Sequence, residues 1–180
     1  MTSIRNIDAT QLTKPLVLQI LSLKNQVWPS ERTEEEQYDG YLARNATRPK
    51  REIFVIQQDK VCIAHAELFC RRIVCDGRSY EVGCLAGVCV LPERQGEGLG
   101  RAIVEAAFSR ASACGFGAVL FQTPVPVFYE KLGCKLINNR FFDSTSDDPA
   151  ANPWWDDYIM IYPNSHPWLK GHIDLNGGAF

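Results

Sequence analysis

An α/β (α+β) fold, with a mixed central β-sheet flanked by helices, is what the order of elements along these 180 residues predicts. Three observations carry it. Strand-like runs are interrupted by segments with helical apolar spacing, so neither class of element stands alone. The tight turn Asp59-Lys60 and the strong hairpin signal Asp76-Gly77 join neighbouring strands antiparallel. The segment Val88-Cys-Val-Leu-Pro-Glu-Arg-Gln-Gly-Glu-Gly-Leu-Gly100 passes from a strand through a glycine turn straight into the helix that begins Arg101-Ala-Ile-Val-Glu-Ala-Ala-Phe108. With 46% hydrophobic residues, residues 1–180 fit one domain with a substantial core.

Taken in order, Ile4 to Ile7 reads as a short first strand. Leu16, Ile20, Leu23 and Val27 then repeat at helical spacing over Thr13 to Val27, with Pro15 tolerated in the first turn and Trp28-Pro29 as the stop. Thr33-x-x-Glu36 has the form of a capping box, opening a second helix towards Asn45. Glu52 to Gln57, Val61 to Val74 and Ser79 to Leu91 are the next strands. Gly83 and Gly87 lie inside the last of these, where a strand glycine marks a bulge, a close backbone approach to a ligand, or merely loose packing. After the glycine turn and its helix come a strand at Ala118 to Thr123, a short helix near 126–132, and strands near 134–142 and 157–162.

The glycine turn is the most chemically informative segment. Leu99, Ile103, Ala106 and Ala107 mark an apolar stripe on the helix that follows, and Arg101, Glu105, Ser109 and Ser112 line another side. A glycine turn opening a helix leaves backbone N–H groups unbonded at the positive end of the helix dipole, an anion site suited to a pyrophosphate. Glycines at 96, 98 and 100 let the backbone approach phosphates with no Cβ between. The Gly-x-Gly-x-Gly spacing does not fit the dinucleotide fingerprint, and no Gly-Lys-Ser/Thr follows for a nucleoside triphosphate.

Gln95-Gly-Glu-Gly-Leu-Gly100 resembles the Gln/Arg-x-x-Gly-x-Gly/Ala signature of the GCN5-related N-acetyltransferases (GNAT), and Phe128-Tyr-Glu-Lys-Leu-Gly-Cys134 resembles that family's later Phe-Tyr-x-Lys-x-Gly-Phe segment. The resemblance implies acetyl-coenzyme A as co-substrate, with its pyrophosphate on Gln95, Gly96, Glu97, Gly98, Leu99, Gly100 and Arg101. It implies a bulged strand, splayed from its parallel neighbour, whose backbone at Val88, Cys89 and Val90 binds the pantetheine arm. It also implies that Tyr129 is the general acid that protonates the departing thiolate. A backbone N–H near Val90 would meet the oxyanion of the tetrahedral intermediate.

The base is less clearly marked. Relatives often carry a Glu on the strand before the glycine loop, whereas the comparable positions here are Cys84 or Ala86. Glu67 is the first candidate, because His65 and Glu67 share one strand face and interrupt an apolar run, where polar groups need a reason. A cleft is one reason; solvent exposure or a structural hydrogen bond is the other. Glu81 is second, though an odd offset from Cys84 turns it to the opposite face, and a water chain to bulk solvent is the third route.

A net charge of −2 gives no general electrostatic case for nucleic acid, and no stretch is long enough to span a membrane. The seven cysteines are odd in number and lack paired metal spacing, so buried thiols in a reducing cytoplasm are expected rather than disulfides or a metal; Cys89 reads as a core thiol, with no His near it in sequence to make it a nucleophile. Phe141 to Asp157 holds Asp143, Asp147, Asp148, Asp156 and Asp157 and no Lys or Arg, a bias suited to a cationic amine or simply to a solvated loop. The tail, Trp168-x-x-Gly171-x-Ile-Asp174-Leu-Asn-Gly177, is similar to the ending of nodulation N-acyltransferases and aminoglycoside 2′-N-acetyltransferases. That similarity implies acceptor contacts at Asp174 and Phe180 and a sugar-stacking Trp154 or Trp155; the alternative is a tail that caps the sheet. The expected activity is acetyl transfer to a small-molecule amine such as an amino sugar, an aminoglycoside or a polyamine. The alternatives are a longer-chain N-acyltransferase, a peptide or protein N-acetyltransferase, or a non-catalytic coenzyme A sensor, and homodimers are common among the relatives.

Overall fold

The computed structural model describes residues 3–180. Contacts divide it into two units: the chain through Phe69 with Ala86–Ser109, and Cys70–Leu85 with Arg110–Phe180. Two long strands and one helix contribute residues to both.

The first unit starts with β1 (Ile4–Asp8), which runs antiparallel to β2 (Glu52–Gln58), and β2 runs antiparallel to β3 (Val61–Cys75). Between β1 and β2 lie α1 (Lys14–Val27) and α2 (Glu34–Thr47). The α1 helix buries Leu16, Ile20 and Leu23 of the expected stripe together with Val17 and Leu21, leaves Val27 half-buried, and ends at Trp28. The expected capping box is present in full: Thr33 Oγ1 accepts from the Glu36 N–H, and the Glu36 carboxylate accepts from the Thr33 N–H at 2.8 Å. Residues 53–56 of β2 and 62–70 of β3 are buried without alternation, as strands covered on both faces must be. Asp59 and Lys60 turn between them with φ of 49° and 65°, the left-handed pair a two-residue hairpin needs.

β4 (Arg78–Val90) neighbours β3 in the sheet and follows the Asp76-Gly77 hairpin. At Gly87 the φ of +58° takes the backbone out of the extended region, a local irregularity of the strand that favours glycine. Gly83 has a different reason: a Cβ there would lie 3.1 Å from Phe116 Cδ2 and 3.3 Å from Val119 Cγ2, so it is small to let neighbours close in. After the glycine turn, α3 (Leu99–Ala113) begins, and Ile103, Val104, Ala107 and Phe108 form its buried side.

In the second unit β5 (Val119–Thr123) pairs parallel with β4 over a short ladder, Gly83 with Val119 and Cys84 with Leu120. β5 is followed by α4 (Pro126–Glu130). The strand expected near 134–142 is two separate pieces, β6 (Lys135–Leu136) and β7 (Phe141–Phe142). They diverge because they serve different partners: β6 joins β8 (Tyr158–Tyr162), itself antiparallel to β5, whereas β7 lies parallel to β9 (Ile173–Asp174). Asn139 sits between them and donates to the Leu169 and Gly171 carbonyls, which bonds this connection to the tail instead of to a strand. β9 was not expected from sequence; two residues are too few to show alternation, and it forms by pairing antiparallel with Val74 and Cys75 of β3.

Candidate active site

The glycine turn lies in the first unit. Leu91 is buried, Pro92–Arg94 make a single 3-10 turn, and residues 95–98 are exposed before α3 starts. Gly96 and Gly98 adopt φ of +83° and +80°, so glycine is required by backbone conformation, and a Cβ at either would meet nothing within 4 Å. The space over this turn is therefore open. The first bond of the helix ladder runs from Ala102 N–H to the Gly98 carbonyl at 3.0 Å, so the N–H groups of Leu99, Gly100 and Arg101 precede the ladder at the positive end of a 15-residue helix. Glu97 places a carboxylate in a turn suited to anions, and its charge is met by Arg94: Nε and Nη2 donate to the two carboxylate oxygens at 2.7 and 2.8 Å. Arg94 Nη1 also donates to Gln58 Oε1 at 2.7 Å, and Gln95 Nε2 reaches the Val90 carbonyl at 3.4 Å. The turn is thereby held to the ends of β2 and β4, with Glu97 paired to Arg94. Val88 and Val90 are half-buried and Cys89 is buried.

The same unit holds the two polar residues of the continuously buried run of β3, His65 and Glu67, and neither is exposed. His65 Nδ1 lies 2.8 Å from the Gly87 carbonyl and Nε2 lies 3.2 Å from the Tyr41 hydroxyl. A carbonyl only accepts, so Nδ1 carries the hydrogen and the Tyr41 hydroxyl donates to Nε2. Burial, with the Lys24 charge adding to it, lowers the His65 pKa to about 3 and keeps the ring neutral. Its bond fixes the carbonyl of Gly87, which leads into Val88–Val90.

Glu67, expected first as the base, is instead the centre of a buried ion cluster. Its carboxylate accepts from Lys24 Nζ at 2.9 Å, Arg48 Nη1 at 2.7 Å and Arg51 Nε at 2.9 Å. Burial opposes its ionisation, but the charges of Lys24, Arg51 and Arg48 outweigh it and hold the pKa well below the usual carboxylate range. A carboxylate held ionised, with its oxygens engaged by three cations, is a weak proton acceptor, which counts against Glu67 as the base. Of the alternatives for a polar group in mid-strand, the structural bond is the one realised. Nothing in the sequence singled out Lys24, Arg48 or Arg51, because they come from α1, the end of α2 and the residue before β2.

Tyr129 belongs to the second unit, where α4 buries it against Phe121 and Phe128, with ring centroids 4.6 and 4.8 Å away. Burial, with Cys134 and Asp156 adding to it, pushes its pKa up, so the phenol keeps its proton. Glu81 is exposed on β4.

The acidic loop and the tail are more structural than expected. The Asp143 carboxylate accepts from the Thr145 and Gly177 N–H groups, and Asp174 accepts from those of Ser144 and Asn176 at 3.0 and 2.8 Å. Burial resists ionisation of Asp174, yet the bonds from Ser144 and Asn176 prevail and lower its pKa. Trp154 is buried edge-on between Phe141 and Phe180, at 5.4 and 5.1 Å, and so offers no stacking face; Trp155 is 69% exposed. Phe180 is buried too, and its carbonyl accepts from Gln122 Nε2 while Gln122 Oε1 accepts from the Trp155 and Asp156 N–H groups. The tail thus caps the sheet and anchors the loop.

Six cysteines are buried and Cys114 is exposed. Burial pushes the Cys62, Cys89 and Cys134 thiols up to about 12, so Cys89 is protonated and unsuited to nucleophilic attack. Among the described residues, no group of three or more His, Cys, Asp or Glu could hold a metal ion, and no helix is long and apolar enough to cross a membrane.

A model of the acetyltransferase (GNAT) domain matches residues 8–137. No curated protein matches the chain. Among solved structures, glucosamine-6-phosphate N-acetyltransferase from Arabidopsis thaliana is 20% identical over 82% of this chain and 99% of its own, with a TM-score of 0.59. A GNAT family acetyltransferase from Brucella melitensis, solved in complex with acetyl-CoA, is 18% identical over 75% of this chain and 84% of its own, at 0.56. A GCN5-related N-acetyltransferase from Kribbella flavida is 19% identical over 75% of this chain, at 0.59, and the match spans 33% of that longer protein. These likenesses show the fold, and the domain match over most of the sequence shows the lineage: the chain belongs to the GNAT family of acetyltransferases.

Proposed function

We propose that this protein moves an acetyl group from acetyl-coenzyme A, the co-substrate of its family, to a primary amine of a small molecule by direct attack, as one N-acetyltransferase domain over residues 1–180. The observation that carries the reading is the glycine turn: left-handed Gly96 and Gly98, open space where a Cβ would stand, and the N-terminus of a long helix behind them. Residues 95–101 fit a pyrophosphate there, the pairing of Glu97 with Arg94 removes the local charge that would repel it, and Val88–Val90 supply backbone groups for the pantetheine arm.

Tyr129 protonates the departing thiolate, a role supported by its place in the Phe-Tyr-x-Lys segment and by a phenol that holds its proton. With Glu67 saturated by cations, the proton of the attacking amine leaves through water to bulk solvent, with Glu81 as the remaining carboxylate candidate. Buried, protonated thiols are consistent with a reducing cytoplasm.

The test is release of free coenzyme A from acetyl-coenzyme A with a panel of aminoglycosides, polyamines, amino sugars, amino acids and short peptides. Acceptor-dependent release from one class supports the reading and names the acceptor chemistry. Tight acetyl-coenzyme A binding with no release from any amine overturns it in favour of a coenzyme sensor.

A further inference from the structure

The charges gathered in the first unit do not balance. Lys24, Arg48 and Arg51 all bond the single carboxylate of Glu67. Arg44 stands with them over the Tyr41 ring, 5.5 Å from its centroid, and Lys24 and Arg51 approach the same ring at 5.3 and 4.2 Å. Four cations thus surround one anion, and the adjacent His65 is neutral. Charge held out of water without a counter-charge is costly, and one arginine would suffice to pair a buried carboxylate. Arg51 shows the same deficit at atomic scale. Its Nε bonds Glu67 and its Nη1 bonds the Tyr41 carbonyl and Asn45 Oδ1, but Nη2 is buried with no hydrogen-bond partner. The cluster is not sealed, because the Lys24 and Arg48 side chains are 15% and 14% exposed. It also stands directly against Gly87: a Cβ on Gly87 would lie 2.8 Å from Lys24 Nζ and 3.3 Å from Glu67 Oε1.

We propose that Lys24, Arg44, Arg48 and Arg51 form an anion subsite that takes a carboxylate or phosphate group of the acyl acceptor. This rests on the acetyltransferase reading and narrows it: the acceptor is an amine that carries its own negative charge. Lysine and arginine donors give short charge-assisted bonds to either anion, and an arginine matches both with two parallel bonds. The surplus repels polycations, so aminoglycosides and polyamines are poor acceptors despite the acidic residues between Phe141 and Asp157.

Matched acceptor pairs test this in the thiol-release assay: an amino acid against its amide, and an amino sugar against its 6-phosphate. The charged member of one pair is expected to show kcat/KM at least about tenfold higher, and the pair that responds tells carboxylate from phosphate. Arg44→Gln is expected to erase the preference, mainly through KM, and Arg44→Lys to retain it. Equal use of charged and neutral members overturns the proposal. A second readout needs no turnover. In a Gly98→Glu background, where the glycine turn is blocked, inorganic phosphate or succinate is expected to raise Tm, and Arg44→Gln to abolish the rise. Absence of any rise with both probes overturns the subsite. A rise that depends on Arg44, with no turnover of any amine, leaves the subsite standing and sinks the acetyltransferase reading.

Discussion

At Tyr129, burial keeps the phenol protonated. The ring is packed between Phe121 and Phe128, so the hydroxyl is what distinguishes it from phenylalanine in function. Tyr129→Phe is expected to bind acetyl-coenzyme A as the wild type does and to lose at least about tenfold in kcat, read by calorimetry and steady-state kinetics; an unchanged kcat removes Tyr129 from the reaction. Gly98 presents the complementary case. A side chain there has open space but a strained backbone, a cost of about 1–2 kcal/mol for an L-residue in the left-handed region. Gly98→Glu is therefore expected to melt cooperatively at a modestly lower temperature yet to bind no acetyl-coenzyme A, since its carboxylate fills the phosphate approach. Normal affinity in calorimetry would refute the loop assignment. Glu67 presents a contrast: a carboxylate in mid-strand is met by three cationic partners that the sequence did not announce.

Among the elements, α2 depends most on its ends. Tyr41 is its only buried residue, so packing contributes little along its length and the capping box at Thr33 matters correspondingly. Thr33→Ala is expected to cost about 1 kcal/mol in urea unfolding. A loss too small to measure would mean that the contacts of Tyr41, Arg44 and Arg48 hold the helix unaided. The hairpins, α1 and α3 were legible because each carries its own local signal: left-handed turn residues, a 3.6-residue stripe, a glycine start. The segment from 134 to 142 misled because its apolar residues resemble one strand, while Asn139 takes up the carbonyls of Leu169 and Gly171 and so divides it in two.

For the whole molecule, acid should be destabilising in two stages. His65 binds a proton near pH 6.5 when unfolded but only near 3 when folded, so the unfolded state holds more protons across that window and stability falls as pH drops through it. Glu67, held well below 4.5 in the fold, adds stability that is present above its unfolded pKa and is lost as pH falls further. Urea unfolding between pH 7 and pH 4 is expected to show a slope approaching about 1.4 kcal/mol per pH unit from His65. In His65→Gln the part between pH 6.5 and 4.5 should vanish; a slope unchanged in that variant would mean that His65 is not neutral in the native state.

The amino-acid sequence by itself determined the class of fold, most element boundaries, the glycine turn and the Phe-Tyr segment, because each rests on residues within a dozen positions of one another. Hydrogen bonds of turns, caps and helix starts are local, and so are the patterns that announce them. Only the tertiary structure decided what the buried polar residues do. Glu67 meets Lys24, Arg48 and Arg51 across as many as 43 positions of chain, and Phe180 closes on Gln122 across 58. Whether a carboxylate is a base or an ion-pair centre depends on the charges beside it, and folding alone brings those charges together.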